Sequence, residues 1–316
     1  MRYTSVFRKT SESGSDRWHA EAAVRTKPQL KSSLEQPLSS RLFSPDLVPI
    51  ADHPTVIARS SDHGRRLEAG RLEDYFCKTE RVELEIVNPA ILLLLADPSL
   101  PSQTHIDALK IYTDEGFHVV MLLELQQHLR EAFDVPLGPR STAPVSRITE
   151  AIARSPPESR ALISICAAFV TETLITPTLR QACDDRLYAP IERFFRDHAE
   201  DEAKHHAFFV AVGREVLSNC VELQRCHIAE TVPRIMVDFL DPNLESVCRD
   251  MVSMGYGSHE AVALIQEAYD PEELRRRMLT AARGTCNLFA SAGINVEASF
   301  QERVRSYDFY DAFPPK

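Results

Sequence analysis

The chain has 316 residues and a formal net charge of −10, so it holds no basic excess with which to neutralise nucleic-acid phosphates. Apolar residues make up 44% and charged residues 26%, an ordinary globular mix, and only 10 glycines favour helices over a turn-rich β fold. The seven cysteines show neither metal-ligand spacing nor a disulfide framework, which suits a reducing cytosol. No run reaches the roughly 18 apolar residues of a membrane span, and the N-terminus lacks the apolar centre of a signal peptide.

Residues 1–45 are rich in Ser, Arg, Lys and Gln without apolar periodicity, and read as irregular or docked extended chain ahead of one helical domain over 46–316. The stretch 47–57 (LVPIADHPTVI) holds two prolines and reads as extended. A first long helix is expected over 62–95. Its apolar positions Leu72, Phe76, Thr79, Ile86, Ala90 and Leu93 alternate by four and three, which makes a bundle seam. Glu83 falls on that seam, and Pro89 is expected to kink the helix.

The stretch DPSLPS (97–102) is a turn, and a second helix is expected over 104–133. Ala108, Ile111, Glu115, His118 and Leu122 share one of its faces, with Glu115 and His118 at i, i+3. A Pro-rich connection (135–146) and a short helix (145–154) follow. The third bundle helix starts after Pro156 and Pro157. It contains ALISICAAFVTETLI (161–175), apolar nearly all round and therefore buried, with Glu172 inside it. The fourth begins near Pro190 and runs to about Leu217; RDHAEDEAKHHAFF (196–209) sets His198, Glu202 and His205 on one face at i, i+4 and i+7. Shorter helices are expected over 221–238, 242–254, 258–267 and 271–291, then an irregular docked tail, SYDFYDAFPPK.

A carboxylate in an apolar helix costs several kcal/mol unless it is paired, protonated or metal-bound. Glu172 has no basic residue within a turn, and Arg81 points to a different face from Glu83. Taken singly these residues are unremarkable. Glu83 could face solvent beside Glu80 and Glu85, and a lone Glu-x-x-His is usually a solvated pair; Glu124 and His128 read as surface for that reason. The set is more specific. Four helices offer, in order, Glu, Glu-x-x-His, Glu and Glu-x-x-His, the donor pattern of a carboxylate-bridged di-iron bundle. Mixed oxygen and nitrogen donors without thiolate suit iron better than structural zinc. Glu115 is the expected bridge, and His198 adds an imidazole to the usual six side chains.

With that extra histidine, the motifs DEGFH (114–118), TET (171–173), the His-x-x-Asp-Glu-x-x-His run 198–205, ADHP (51–54) and VELEIVNPA (82–90) resemble the ferritin-like di-iron N-oxygenases typified by the aureothin-pathway p-aminobenzoate N-oxygenase. The resemblance covers the chain from about residue 45. It implies an all-α, ferritin-like four-helix bundle with additional C-terminal helices, and a metal set of Glu83, Glu115, His118, Glu172, His198, Glu202 and His205. It implies two Fe ions cycling between Fe2+ and Fe3+, O2 as co-substrate, an external electron donor, a homodimer and a role in natural-product biosynthesis. The reaction implied is oxidation of an amine to hydroxylamine and onward to nitroso or nitro. Tyr75 matches a pocket tyrosine, and Thr176, Cys286 and Asn287 are the other expected pocket residues. No arginine follows Arg283 in the stretch 284–293, where an aryl carboxylate would be anchored, so the expected amine is one with a masked acid, such as an aminoacyl group on a carrier protein. The alternatives are a free aminobenzoate-like acid, a di-iron C–H hydroxylase or desaturase, and a non-catalytic iron protein. Storage proteins of this kind stop near one bundle's length, whereas about 100 further residues here suggest a lid over a substrate site.

Overall fold

A computed structural model describes residues 17–26, 40–133, 140, 142–307 and 310–312. Two short turns, α1 (Trp18–Glu21) and α2 (Ala23–Thr26), come first. A 3-10 turn (Pro49–Asp52) leads into α3 (Pro54–Arg59) and α4 (Ser61–Val82). The Ser60 hydroxyl accepts from the Asp62 amide and so caps α4. A π turn (Glu83–Val87) joins α4 to α5 (Asn88–Leu95), followed by α6 (Ser102–Phe133) and α7 (Ala143–Arg154). Then come α8 (Pro157–Ala182) and α9 (Ala189–Ser218). Both carry proline in the first turn, where its missing N–H costs nothing.

The C-terminal part holds α10 (Glu222–Leu240), α11 (Leu244–Ser253), α12 (Ser258–Ala268), α13 (Pro271–Ser291) and α14 (Ala298–Ser306). Helix α14 was not foreseen; the expected irregular tail begins only at its end, and parts of that tail and of the 135–146 connection lie outside the described residues.

The first long helix is one continuous rod with a fault in it. The Asn88 amide donates to the Glu83 carbonyl, five residues back instead of four. Pro89, one residue further on, has no N–H for the carbonyl of Glu85, so the wider turn sits where an α ladder would be broken anyway. One extra residue in the turn shifts the register of everything after it. Leu93, expected on the seam, is 36% exposed, and Ile91 and Leu94 are buried in its place.

The α4–π–α5 rod, α6, α8 and α9 form the ferritin-like bundle, with α8 against α9, α6 against α9, and α5 against both α6 and α8. Helices α10 and α13 cover α8, and α11 covers α4. One contiguous core runs from Ala23 to Ala312, crossing the boundary expected near residue 45. Helix α8 is by length and average composition apolar enough to cross a membrane, but most of it is buried among its neighbours. Its apolar surface on all sides is what a central bundle helix needs.

Candidate metal centre

The seven expected donors come from four rods. Glu83 opens the π turn, Glu115 and His118 lie on α6, Glu172 on α8, and His198, Glu202 and His205 on α9. All are buried. They fall into two groups of four. Glu83, His118, His198 and Glu202 form one, and Glu115, Glu172, Glu202 and His205 the other; in each, one donor atom per residue lies within 4.8 Å of the rest. Glu202 belongs to both. Glu115, the expected bridge, falls in the second group only, although its Oε2 lies 3.5 Å from His118 as its Oε1 lies 3.0 Å from His205.

His118 and His205 both present Nδ1 to the cluster. His118 Nδ1 is 3.6 Å from Glu202, and His205 Nδ1 is 3.3 Å from the same carboxylate. His198 instead presents Nε2, 3.3 Å from Glu83 and 3.2 Å from Glu202. The added histidine therefore serves one group only.

The fit to a pair of metal ions can be judged from atoms left without partners. Among the described residues, neither carboxylate oxygen of Glu83, Glu115 or Glu172 finds a hydrogen-bond partner, nor does one oxygen of Glu202. Buried polar atoms are rarely left so, and here they converge on two points. Four carboxylates also offset the charge of two dications. Without metal, protons take over that role. Burial pushes Glu83 up to about 7, with Glu115 adding to the rise against the facing His198 imidazole. Burial and the facing Glu202 and Glu115 hold Glu172 well above the carboxylate range. Burial alone would lower His118 and His205. For His118, the Asp201 hydrogen bond and Glu115 outweigh it; for His205, Glu202 and Glu115 do, and both imidazoles rise well above their usual value.

Two aspartates that the sequence reading passed over stand behind the cluster. Asp201 lies 3.5 Å from His118 Nε2, and Asp114 lies 3.3 Å from His205 Nε2. Each aspartate precedes the glutamate of one motif and serves the histidine of the other, so the two helices are cross-tied. The signal was present: both motifs read Asp-Glu-x-x-His.

A cavity of about 380 Å³ lies beside the cluster, lined by Tyr75, Thr79 and Val82 on the approach to Glu83, and by Ile175 three residues after Glu172. Of the expected pocket residues, Tyr75 lines it. Thr176, Cys286 and Asn287 do not. The Thr176 hydroxyl donates to the Glu202 carbonyl, Cys286 is packed in the core, and Asn287 is exposed. Helix α13 turns Leu274, Met278 and Ala281 to the cavity. Continuing that face reaches Thr285, whose hydroxyl lies 2.6 Å from that of Thr173. Asn287 sits about 200° further round the helix, on the opposite face. His128, expected at the surface, is half-buried, 2.9 Å from the Tyr188 hydroxyl.

The cavity also receives Lys78, one helical turn after Tyr75. Its ammonium donates to the Phe239 carbonyl and sits 3.9 Å from the centre of the Phe239 ring. Burial lowers it to about 8, partly opposed by Asp241. Arg277 reaches the same cavity from α13 but is held by Glu273 at 2.6 Å. Arg283 is exposed.

The family described as p-aminobenzoate N-oxygenase AurF matches residues 27–293. The 4-aminobenzoate N-oxygenase of Streptomyces thioluteus is 24% identical over 261 residues, 78% of this chain and 75% of that enzyme. The match spans every residue of both four-donor groups, and the chain belongs to the p-aminobenzoate N-oxygenase family.

Proposed function

We propose that the protein is a di-iron N-oxygenase that oxidises an amine with O2, to hydroxylamine and onward to nitroso or nitro. The observation that carries this reading is the pair of four-donor groups joined through Glu202, in a chain that belongs to an N-oxygenase family. Glu83, His118, His198 and Glu202 would hold one iron, and Glu115, Glu172, Glu202 and His205 the other. Bound iron would supply O2 activation, drawing electrons from an external redox partner. The chain's own residues position the amine. Tyr75, Thr79 and Ile175 line the cavity on the side where the chain runs on to Glu83 and Glu172.

Lys78 supports an amine that also bears an acid group. A carboxylate in an apolar pocket needs a cationic partner, and the sequence reading sought one only on the C-terminal helix. The structure offers an ammonium on the first bundle helix, five residues and about 7.5 Å of rise before Glu83. An acid group on the substrate would then be held at Lys78, in the same cavity that Tyr75 and Thr79 line. The seven cysteines are all free, which supports a reducing cytosol. A homodimer is supported by an exposed apolar row on α6.

The test is product analysis by mass spectrometry. Reduced, iron-loaded protein is given O2 with p-aminobenzoate, free amino acids, or aminoacyl groups on a carrier protein. We expect oxidation of a free amino acid or aminobenzoate, with Lys78→Met raising KM more than it lowers kcat. Turnover confined to carrier-bound substrates would replace the free acid with the tethered amine, and protein that takes up no iron would remove the oxygenase reading.

A further inference from the structure

We propose that the segment Trp18–Thr26 is a strap that positions the imidazoles of both metal groups through the aspartates behind them. This rests on the reading of the Glu/His cluster as a metal pair.

The indole Nε1 of Trp18 donates to both oxygens of Asp114, at 2.9 and 2.8 Å. The amide of Ala23 donates to Asp201 Oδ2 at 3.0 Å, while Lys204 holds the other oxygen at 3.0 Å. Asp114 and Asp201 are the partners of His205 and His118. Two hydrogen-bonded chains therefore run inward from one short segment: Trp18 to Asp114 to His205, and Ala23 to Asp201 to His118. Each ends in a different four-donor group.

The chemistry of the donors matters. A carboxylate on the outer nitrogen of a metal-binding imidazole fixes its ring orientation and raises its basicity. An indole N–H or an amide N–H fixes that carboxylate without cancelling its charge. With the strap in place both aspartates are nearly sealed from solvent, 3% and 1% exposed, so a strap that keeps its bulk but loses the N–H leaves each short of a donor. Ala22 and Ala23 fill the gap, fully buried, and α2 packs on both α6 and α9.

The contacts are also long-range. Trp18 and Asp114 are 96 residues apart, and Ala23 and Asp201 178, so the strap can dock only on a formed bundle. Residues 18–26 precede the family match, which begins at residue 27; the strap is read from this chain's own contacts. Linkage makes its effect reciprocal: if docking tightens metal binding by some factor, metal tightens docking by the same factor.

Trp18 is the only tryptophan in the chain, so its fluorescence reports the strap without any substitution. Anaerobic Zn2+ loading of the parent, with no redox quenching, should change that emission and protect the segment from proteolysis. Two variants then separate the arms. Trp18→Phe keeps a ring and removes the N–H. Ala23→Pro removes the amide proton, and Ala22, at φ −63 and ψ 139, already has the extended conformation required before proline.

We expect each variant to weaken Fe2+ binding by about 10- to 100-fold, the usual cost of losing outer partners of metal ligands. Mössbauer spectra of the diferrous protein should show Trp18→Phe shifting one iron signal and Ala23→Pro the other, which a general loss of stability would not do. Parent protein that loads two irons, with both variants matching its affinity and spectra, would overturn the strap alone, as would emission and proteolysis unaffected by Zn2+. Parent protein that binds no metal would overturn the metal pair itself and the strap with it.

Discussion

Helices α6 and α9 carry the same five-residue motif and differ on either side of it. Four residues before the motif glutamate, α9 has His198 and α6 has Ile111. His198 reaches the cluster; Ile111 packs into the core. The inward faces are therefore symmetric in Asp, Glu and His, with one imidazole added on one side. The outward faces differ more. Helix α9 exposes Arg193, Arg196 and Glu200, whereas α6 exposes Ile106, Leu109, Val120 and Leu123. The comparison separates what the shared core requires, one Asp-Glu-x-x-His per helix, from what this chain adds.

The largest effect should come from breaking the element that both groups share. Glu202→Ala removes a donor from each group at once and leaves His198, His205 and His118 without the carboxylate they all face. Helical content by circular dichroism should persist while metal analysis after iron loading shows neither site retained. Retention of one tightly bound iron would place the shared role on Glu115 instead.

Glu172 lies on α8, outside the α6–α9 symmetry, and belongs to one group only. Its two oxygens are buried without partners among the described residues, each unmet group costing about 1–3 kcal/mol. Glu172→Leu should abolish oxygenation and weaken iron binding, yet raise the apoprotein's Tm by a few degrees. Scanning calorimetry of metal-free protein checks this, and a fall in Tm would mean that the carboxyl is satisfied in some other way.

His198 sharpens the asymmetry directly. His198→Ala leaves the symmetric six donors in place, so two irons should still bind, but the product profile should change or oxygenation be lost, because ligand identity is the protein's main control on such a centre. A product profile identical to the parent's would reduce His198 to a hydrogen-bond partner of Glu202 that stands beside Glu83.

These residues were legible because a buried charge on an apolar helix must be explained, and spacing of three and four places it on a known face. Glu83, Glu115, Glu172 and Glu202 all yielded to that logic. The π turn did not: a seam counted by four and three assumes an unbroken ladder, and a one-residue slip after Glu83 exchanges Leu93 for Leu94 without changing composition. The strap was illegible for a different reason. Trp18 has no local pattern, and its partner lies 96 residues away. Lys78 was overlooked because the cation was sought at one assumed place, although its position one turn after Tyr75 could have been read.

The protonation of the cluster in metal-free protein predicts a smaller effect, with a definite sign. Glu83 rises from an ordinary 4.5 to about 7, and Glu73, buried beside Gln126, also reaches about 7 through burial. Between about 4.5 and 7 the folded apoprotein holds protons that the unfolded chain has released, so its stability should fall as pH rises through that window. Metal binding must expel those protons and should strengthen over the same window. Calorimetry from pH 5 to 7.5 should show the Tm of the apoprotein falling and the gain on Zn2+ loading growing. Parallel curves for the two forms would mean that the cluster's carboxyls ionise normally.

The smallest effect on the chemistry should come from the outward face of α6. Leu109 is 51% exposed, and Val120 and Leu123 are each 45% exposed. With Gly116, which has open space where a side chain would stand, they follow one another by three, four or seven residues, so they line one stripe opposite Glu115 and His118. A contiguous apolar stripe of this kind marks an association surface, and α9, with arginine and glutamate outside, offers none. Leu109→Glu with Leu123→Glu puts like charges on the stripe without touching a donor. If α6 is where two copies meet, light scattering should show the parent as a dimer and the double variant as a monomer, each binding two irons per chain. A parent that is monomeric at the same concentration would leave the stripe to another partner, and loss of iron from a monomeric double variant would show that the outer face of α6 supports the inner one.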